Sequence, residues 1–432
     1  MATRKHLIVG CGPAALNAVA RLRLLAPQDE IRMVCMEDYP PYSPTSLTYY
    51  LAGRIVEDKL WTASASRLEQ LGCRFSGNSE VVRILPASKQ VLYRDGSSES
   101  YDTLLIATGA AADVPRAPGV TRDNTLVLRT LDDAKTVLSA ADGRNRAVIW
   151  GAGLIALQAA SSLLQRGLEV TVVARSRPLR RYLDERAAKM VQDVYEKNGV
   201  RMLTGTNVER VESLGNQHGI TLTSGERLEA DLFVAGLGVK PRVEFLADSG
   251  IQILQGIVVD RHMQTSVPDV YAAGDVAESP EFFTGKPGLN PIVPSAVRQG
   301  KVAASNMAGR DEEYEGWIGM NLFQFFGNST LSLGVDQPLS PEGSVQEDVE
   351  TSANRFKKMI FQGDHLVGAM MLNVPVDPGV MLYLIRNKVP LGALAPILFE
   401  QPREISRLLM MEEERKGTVV AEEEQKLWAE RQ

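Results

Sequence analysis

Cysteine is scarce in this chain. The 432 residues include three, Cys11, Cys35 and Cys73. They form no CxxC pair and no zinc-ligand spacing, so no metal site is expected. Three scattered thiols also cannot supply an iron–sulfur cluster. Each reads as small buried filler, Cys11 inside a turn and Cys35 inside the second strand. Such sparing use suits a reducing, cytoplasmic setting. Excess positive charge is missing too. Lys and Arg number 47 against 53 Asp and Glu, a formal net charge of −6, which argues against a nucleic-acid partner. No apolar stretch is long enough to span a membrane, and no secretory h-region precedes the first strand. What remains is a globular composition with length for two or three domains.

The first dozen residues organise that length. Leu7-Ile8-Val9 suits one buried parallel strand. Gly10-Cys11-Gly12-Pro13-Ala14-Ala15 follows, and a helical pattern then runs through Leu16, Val19, Ala20, Leu22 and Leu24. Gly10 permits a tight turn, Gly12 lets backbone approach a pyrophosphate, and Ala15 still allows close helix–strand packing. The free N–H groups of the helix start face the anion. Ile31 to Met36 reads as the second strand. It ends at Glu37, about 25 residues past the glycines, where an acid accepts from ribose hydroxyls. A GxGxxA turn alone is weak evidence, because a strand–helix turn needs no ligand.

The same grammar recurs. Ala147-Val148-Ile149-Trp150 is a strand, Gly151-Ala152-Gly153-Leu154-Ile155-Ala156 a second GxGxxA turn, and an Ala/Leu-rich helix runs to about Leu164. Glu169 to Val173 is the next strand. At its end the acid is replaced by Ala174, with Arg175, Ser176, Arg177, Arg180 and Arg181 following. A ribose 2′-OH wants an acceptor and a 2′-phosphate wants arginine, so the cluster leans towards NADP over NAD; solvated loop arginines are the alternative.

Other stretches fit around these units. Pro40 to Gly53 begins as a proline-stiffened loop, and its second half starts a helix with Thr45 or Ser46 as N-cap. Val81–Leu85 and Val91–Tyr93 form a hairpin. A buried strand from Tyr101 ends in the small-residue turn Ala107-Thr108-Gly109. Asp231 to Ala235 is a strand before Gly236-Leu237-Gly238, and Val270 to Val276 is a strand closed by Gly274-Asp275, whose acid caps a helix or reaches a polyol. A helix begins near Pro294. From about Asn321 the pattern becomes antiparallel β, then helical. Glu404 to Gln432 reads as a charged helix, with Leu427 and Trp428 suited to docking.

The five motifs, in this order and across nearly the whole length, resemble the two-dinucleotide flavoproteins of the pyridine nucleotide–disulfide oxidoreductase superfamily. The resemblance implies an α/β fold: two Rossmann-like domains, the second inserted in the first, plus a C-terminal α+β interface domain. The expected boundaries are 1–112 with 247–320 for FAD, 113–246 for NAD(P), and 321–432 for the interface domain and charged tail. It further implies that Gly10, Gly12, Pro13, Ala14 and Ala15 hold the FAD pyrophosphate and that Glu37 takes its ribose. Ala107, Thr108 and Gly109 lie beside FAD, and Gly274 and Asp275 close that site. Gly151, Gly153 and Ala156 hold the nicotinamide nucleotide, joined by Gly238, Arg175 and Arg181.

The departures inform function. Disulfide reductases of this superfamily carry redox cysteine in the segment occupied here by Thr45, Ser46 and Thr48. A hydroxyl cannot shuttle electrons as a thiolate does. The ferredoxin-reductase-like branch often pairs a Lys in this segment with a Glu after the second turn; here Thr48 and Gln158 match, a neutral substitute. These four residues are the flavin-adjacent candidates, and none demands an acid–base role. The reading is a FAD-dependent NAD(P)H oxidoreductase that exchanges electrons with an external iron–sulfur partner. It would act as a reductase component or complex subunit, in a homo- or hetero-oligomer. Pro40 to Gly53 most resembles flavoproteins of phenylglyoxylate dehydrogenase-type 2-oxoacid oxidoreductases. A free-standing NAD(P)H oxidase or quinone-type reductase is one rival, and a nucleotide-bound scaffold or redox sensor the other.

Overall fold

A computed structural model describes residues 3–114 and 116–415. The chain divides into two compact units, one up to Leu179 with Gln192–Trp317, the other Arg180–Val191 with the chain from Ile318. The second thus begins near the expected boundary at 321 but also takes a short piece of the middle of the chain.

The first unit holds both expected sheets. Strand β1 (Lys5–Val9) is followed by helix α1 (Pro13–Leu25) and strand β2 (Glu30–Val34). β2 stops one residue short of Cys35, so the cysteine expected inside the strand lies just beyond it. β1 is central in a parallel sheet of order Val270–Ala272, Thr103–Ile106, β1, β2 and β3 (Cys73–Ser76). Leu7 stands opposite both Arg32 and Leu104. Leu7, Ile8, Leu104 and Leu105 are wholly buried, which is why these strands read as unbroken apolar runs rather than alternating ones. The second sheet repeats the plan in the order Arg201–Thr204, Glu169–Ala174, Arg146–Trp150, Leu232–Ala235, again parallel. A three-stranded meander over Val208–Leu214, Gln217–Leu222 and Arg227–Ala230 was not anticipated.

Helix Val293–Met307 packs on α1 so closely that a Cβ on Gly300 would lie 2.2 Å from the Ala14 carbonyl oxygen. That contact fixes the direction of α1, and with it the aim of its N-terminus.

The second unit carries a five-stranded antiparallel sheet of order Met320–Phe325, Asn328–Gly334, His365–Leu372, Arg355–Gln362, Gly343–Glu350. The last strand escapes sequence reading because it lies at the edge. Its residues are mostly exposed and include Glu347, Asp348 and Glu350, so no apolar alternation marks it, and charge there discourages further pairing. Helices Pro378–Arg386, Ala395–Glu400 and Pro402–Arg415 follow. The remainder of the charged tail, with Leu427 and Trp428, lies outside the described residues. Among the described residues no helix is long and apolar enough to cross a membrane.

Candidate functional site: a pair of glycine turns

The two glycines of the first turn do different things. Gly10 has φ +110°, and a Cβ there would sit 2.1 Å from the Ala107 carbonyl oxygen. Its N–H donates to Val34 O at 2.8 Å, so the turn is wedged between the end of β2 and the turn after Thr103–Ile106. Only glycine fits that gap. Gly12 is the N-cap of α1 in extended conformation, and a Cβ there would meet nothing within 4 Å. The helix start therefore faces open space. It has no side-chain cap and no acid in its first turn, and Pro13 fills a position that needs no N–H donor. Uncapped N–H groups with the positive end of the helix dipole behind them suit a phosphate.

The second turn repeats this. Gly151 has φ +123°, donates to Val173 O at 2.8 Å, and would place a Cβ 2.4 Å from Gly236 O. Gly153 opens onto free space at the uncapped start of helix Leu154–Gln165. Ala156 is buried against Gly236, and Gly238, at φ +131°, also has an open face. Both turns fit dinucleotide phosphates on geometry as well as on sequence. Ala174 ends its strand buried, and Arg175 beyond it is exposed. Arg181, also exposed, belongs to the other compact unit.

Distant segments converge on the first turn. Ala14 faces Gly274, whose Cβ would lie 3.4 Å from that of Ala14. Gly274 N–H donates to Gln299 Oε1 at 2.8 Å, and Gln299, almost fully buried, donates in turn to Ser279 Oγ. Asp275 accepts from Arg129 Nη2 at 2.7 Å, while Arg129 Nε donates to Ala110 O. Thr108 Oγ1 donates to Arg242 O at 3.2 Å, and Arg242 N–H to Gly109 O at 3.0 Å.

Glu37 follows β2 and accepts from the Tyr42 hydroxyl at 2.6 Å. That hydroxyl accepts the Leu131 N–H at 3.0 Å, at the start of helix Leu131–Ala141. Burial pushes the Glu37 carboxyl above its ordinary range, opposed by the Tyr42 bond and the charge of Arg242. Sequence reasoning missed Tyr42, Arg129 and Gln299. The one available signal was the capping pair Thr130 and Asp133, which starts a helix immediately after Arg129.

Thr48 is buried in helix α2 (Leu47–Leu51), and its Oγ1 donates to Gln158 Oε1 at 3.1 Å. Ser162 Oγ lies 3.1 Å from Thr48 O. Neither Thr45 nor Ser46 caps α2 with its side chain. A 3-10 turn over Pro44–Ser46 leads into the helix instead, and the exposed Thr45 hydroxyl bonds Ser43. Ser46 does stand at the N-cap position, as expected, but without a side-chain cap bond, because the preceding turn already supplies the chain direction.

The cysteine reading is also corrected. Cys11 and Cys35 form a disulfide, with Cα atoms 5.7 Å apart. Cys73 is free and buried, and burial raises its thiol to about 12. Among the described residues no cluster of His, Cys, Asp or Glu is arranged to hold a metal ion.

Comparison with known proteins agrees with this geometry. The family model for pyridine nucleotide-disulphide oxidoreductases matches residues 4–300. The NADH-dependent phenylglyoxylate dehydrogenase subunit epsilon of Aromatoleum evansii is 34% identical over 94% of this chain and 97% of its own. Among solved structures, a covalent putidaredoxin reductase–putidaredoxin complex matches with TM-score 0.81 and 26% identity, covering 90% of this chain and 94% of that one. An engineered water-forming NADPH oxidase shares the fold, with TM-score 0.82 and 24% identity over 90% of this chain and 92% of its own. That oxidase carries a glycine-to-alanine change, an Asp-Ala-Met run changed to Ala-Arg-Ser eighteen residues later, and a proline changed to arginine seven residues after the run begins. With a family match over residues 4–300 and a relative 34% identical across nearly its whole length, the chain belongs to the pyridine nucleotide-disulphide oxidoreductases, as a flavoprotein oxidoreductase of NAD(P)H.

Proposed function

We infer that this protein passes electrons between NADPH and an external iron–sulfur protein, as the flavin component of a larger assembly. The observation that carries the reading is the neutral Thr48–Gln158 pair, whose Thr48 lies in the segment where a disulfide reductase would need thiols. Cys11 and Cys35 are committed to each other beside the first turn, and Cys73 is buried. An outside redox centre therefore completes the circuit. The relatives support the outside partner: one is a subunit of an NADH-dependent phenylglyoxylate dehydrogenase, and another is joined to putidaredoxin.

In this reading the domains are 1–112 with 247–320 for FAD, 113–246 for NAD(P)H, and 321–432 for the interface. Bound FAD would accept a hydride from the nicotinamide and release electrons onward. The protein's part is placement. The start of α1 holds the pyrophosphate over the open face of Gly12, and Glu37 holds the ribose. Asp275, tethered by Arg129, closes the far side of that cradle. Gly151, Gly153 and Ala156 repeat the phosphate cradle for the second nucleotide. Thr48 and Gln158 line the flavin without charge.

The preference for NADPH rests on Arg175, exposed where an acid would meet a ribose 2′-OH. The engineered NADPH oxidase offers a parallel. This chain has Ala156, then Ala174-Arg175-Ser176 eighteen residues later, and Arg181 seven residues past Ala174. Anaerobic mixing tests the reading. NADPH should bleach the flavin band faster than NADH, and Arg175→Glu should weaken reduction by NADPH roughly tenfold or more while sparing NADH. Equal losses with both nucleotides would remove the phosphate role, and no bleaching with either would remove the enzyme reading.

A further inference from the structure

The Cys11–Cys35 disulfide lies across the cradle assigned to FAD. Cys11 stands between Gly10 and Gly12, inside the turn read as the pyrophosphate site. Cys35 is the first residue after β2 and lies two residues before Glu37. Gly10 N–H already binds Val34 O, so the main chain itself brings the two segments together. The resulting Cα separation of 5.7 Å is one that a disulfide spans without backbone movement. Cys35 is the fixed partner. Its N–H donates to Ser76 O at 2.9 Å, its carbonyl accepts from Ser79 N–H at 2.7 Å, and its side chain is buried. Cys11 is only partly buried, so of the two it is the less enclosed residue.

We propose that Cys11 and Cys35 are a thiol–disulfide site opened by a dithiol reductant, and that the closed form holds FAD more tightly than the open form. The proposal rests on the reading of Gly10 to Ala15 and Glu37 as the FAD site. In opening, a thiolate of the reductant attacks one sulfur and the Cys11–Cys35 bond breaks, leaving a mixed disulfide. The unattacked cysteine leaves as a thiolate, and the reductant's second thiol then attacks the mixed disulfide and displaces the cysteine held in it. Two electrons and two protons pass to the pair, giving two thiols, and the reductant becomes a disulfide. Closing is the same exchange run backwards with the oxidised reductant. The closed bond ties the pyrophosphate turn to the strand end that carries the ribose acid. FAD then meets a cradle already in place, and less ordering is charged to binding. Opening leaves the backbone bond from Gly10 to Val34 as the direct tie between the turn and the strand end. Linkage makes the effect reciprocal: bound FAD protects the disulfide by the same factor.

The test uses the full chain. Holoprotein isolated in air is unfolded and alkylated without reductant, then weighed. One alkyl group is expected, on Cys73, and three after dithiothreitol; three without reductant overturns the pair. FAD is then titrated into apoprotein, with flavin fluorescence as the readout. The disulfide form should bind on the order of tenfold more tightly than the dithiothreitol-treated form. A tenfold difference requires the disulfide midpoint to lie about 30 mV lower in the holoprotein. The double variant Cys11→Ser with Cys35→Ser should match the reduced form and ignore dithiothreitol. Equal FAD affinity in oxidised and reduced wild-type protein overturns the proposal, and this comparison needs no variant to fold. If neither form binds FAD, the assignment of the first turn fails instead.

Discussion

Replacing Tyr42 by Phe removes a single oxygen that serves two elements. It donates to Glu37 at 2.6 Å and accepts the Leu131 N–H at 3.0 Å. Leu131 is fully buried, so its amide would be left without a partner, at a cost of about 1–3 kcal/mol. Glu37 would lose a charge-assisted bond worth about 1.5–3 kcal/mol, of which water recovers part because the carboxylate is not wholly buried. The two together come to roughly 2–4 kcal/mol. Spread over the ~300 residues of the first unit at about 2.1 cal/mol/K per residue, that lowers the melting temperature of the apoprotein by roughly 3–6 °C. The effect carries a pH signature. Burial raises the Glu37 carboxyl above its ordinary value of 4.5, and the Tyr42 bond opposes that rise. A buried acid whose folded value is raised contributes stability below its unfolded value and loses it as pH rises through the folded one. Without Tyr42 the folded value climbs further, so the deficit of the variant should widen from pH 5 to pH 8. Thermal melts of wild type and variant at both pH values supply the check. A deficit that is absent at pH 8, or that shrinks from pH 5 to pH 8, would refute the coupling of Tyr42 to Glu37.

Two further predictions separate fold from site. Gly12→Ala and Gly153→Ala place their methyl groups in open space on backbones that alanine accepts. Each should leave the apoprotein melt unchanged, yet weaken FAD and NADPH respectively by about tenfold or more, read by titration; unchanged affinities would show that no phosphate lies against those faces. Arg129→Met leaves Asp275 without its 2.7 Å partner and Ala110 O without its donor. That should cost about 1–3 kcal/mol of stability and reduce FAD retained through gel filtration; full retention would mean that the tether is dispensable.

Much of this was legible along the chain because it is set by near neighbours. A glycine at a positive φ, an uncapped helix start and a buried parallel strand each leave a pattern within a few residues. That pattern occurs twice, at Gly10 to Ala15 and at Gly151 to Ala156. The acid at Glu37 and the arginine at 175 are found by counting from it. Strand Gly343–Glu350 left no pattern, since an edge strand with exposed acidic residues has no buried face to alternate. The pairing of Cys11 with Cys35 arises from parallel register and a single backbone bond across 24 residues of sequence. The tethers Tyr42 to Glu37, Arg129 to Asp275 and Gln299 to Gly274 join elements up to 146 residues apart. By itself, then, the sequence determined the two glycine turns, the parallel strands that lead into them and the absence of cysteine from Thr45 to Thr48. Local backbone geometry and burial suffice for those. Only the tertiary structure decided which side chains hold the turns in place, and that the two scarce cysteines meet, because those contacts depend on register between strands and on the packing of Val293–Met307 against α1.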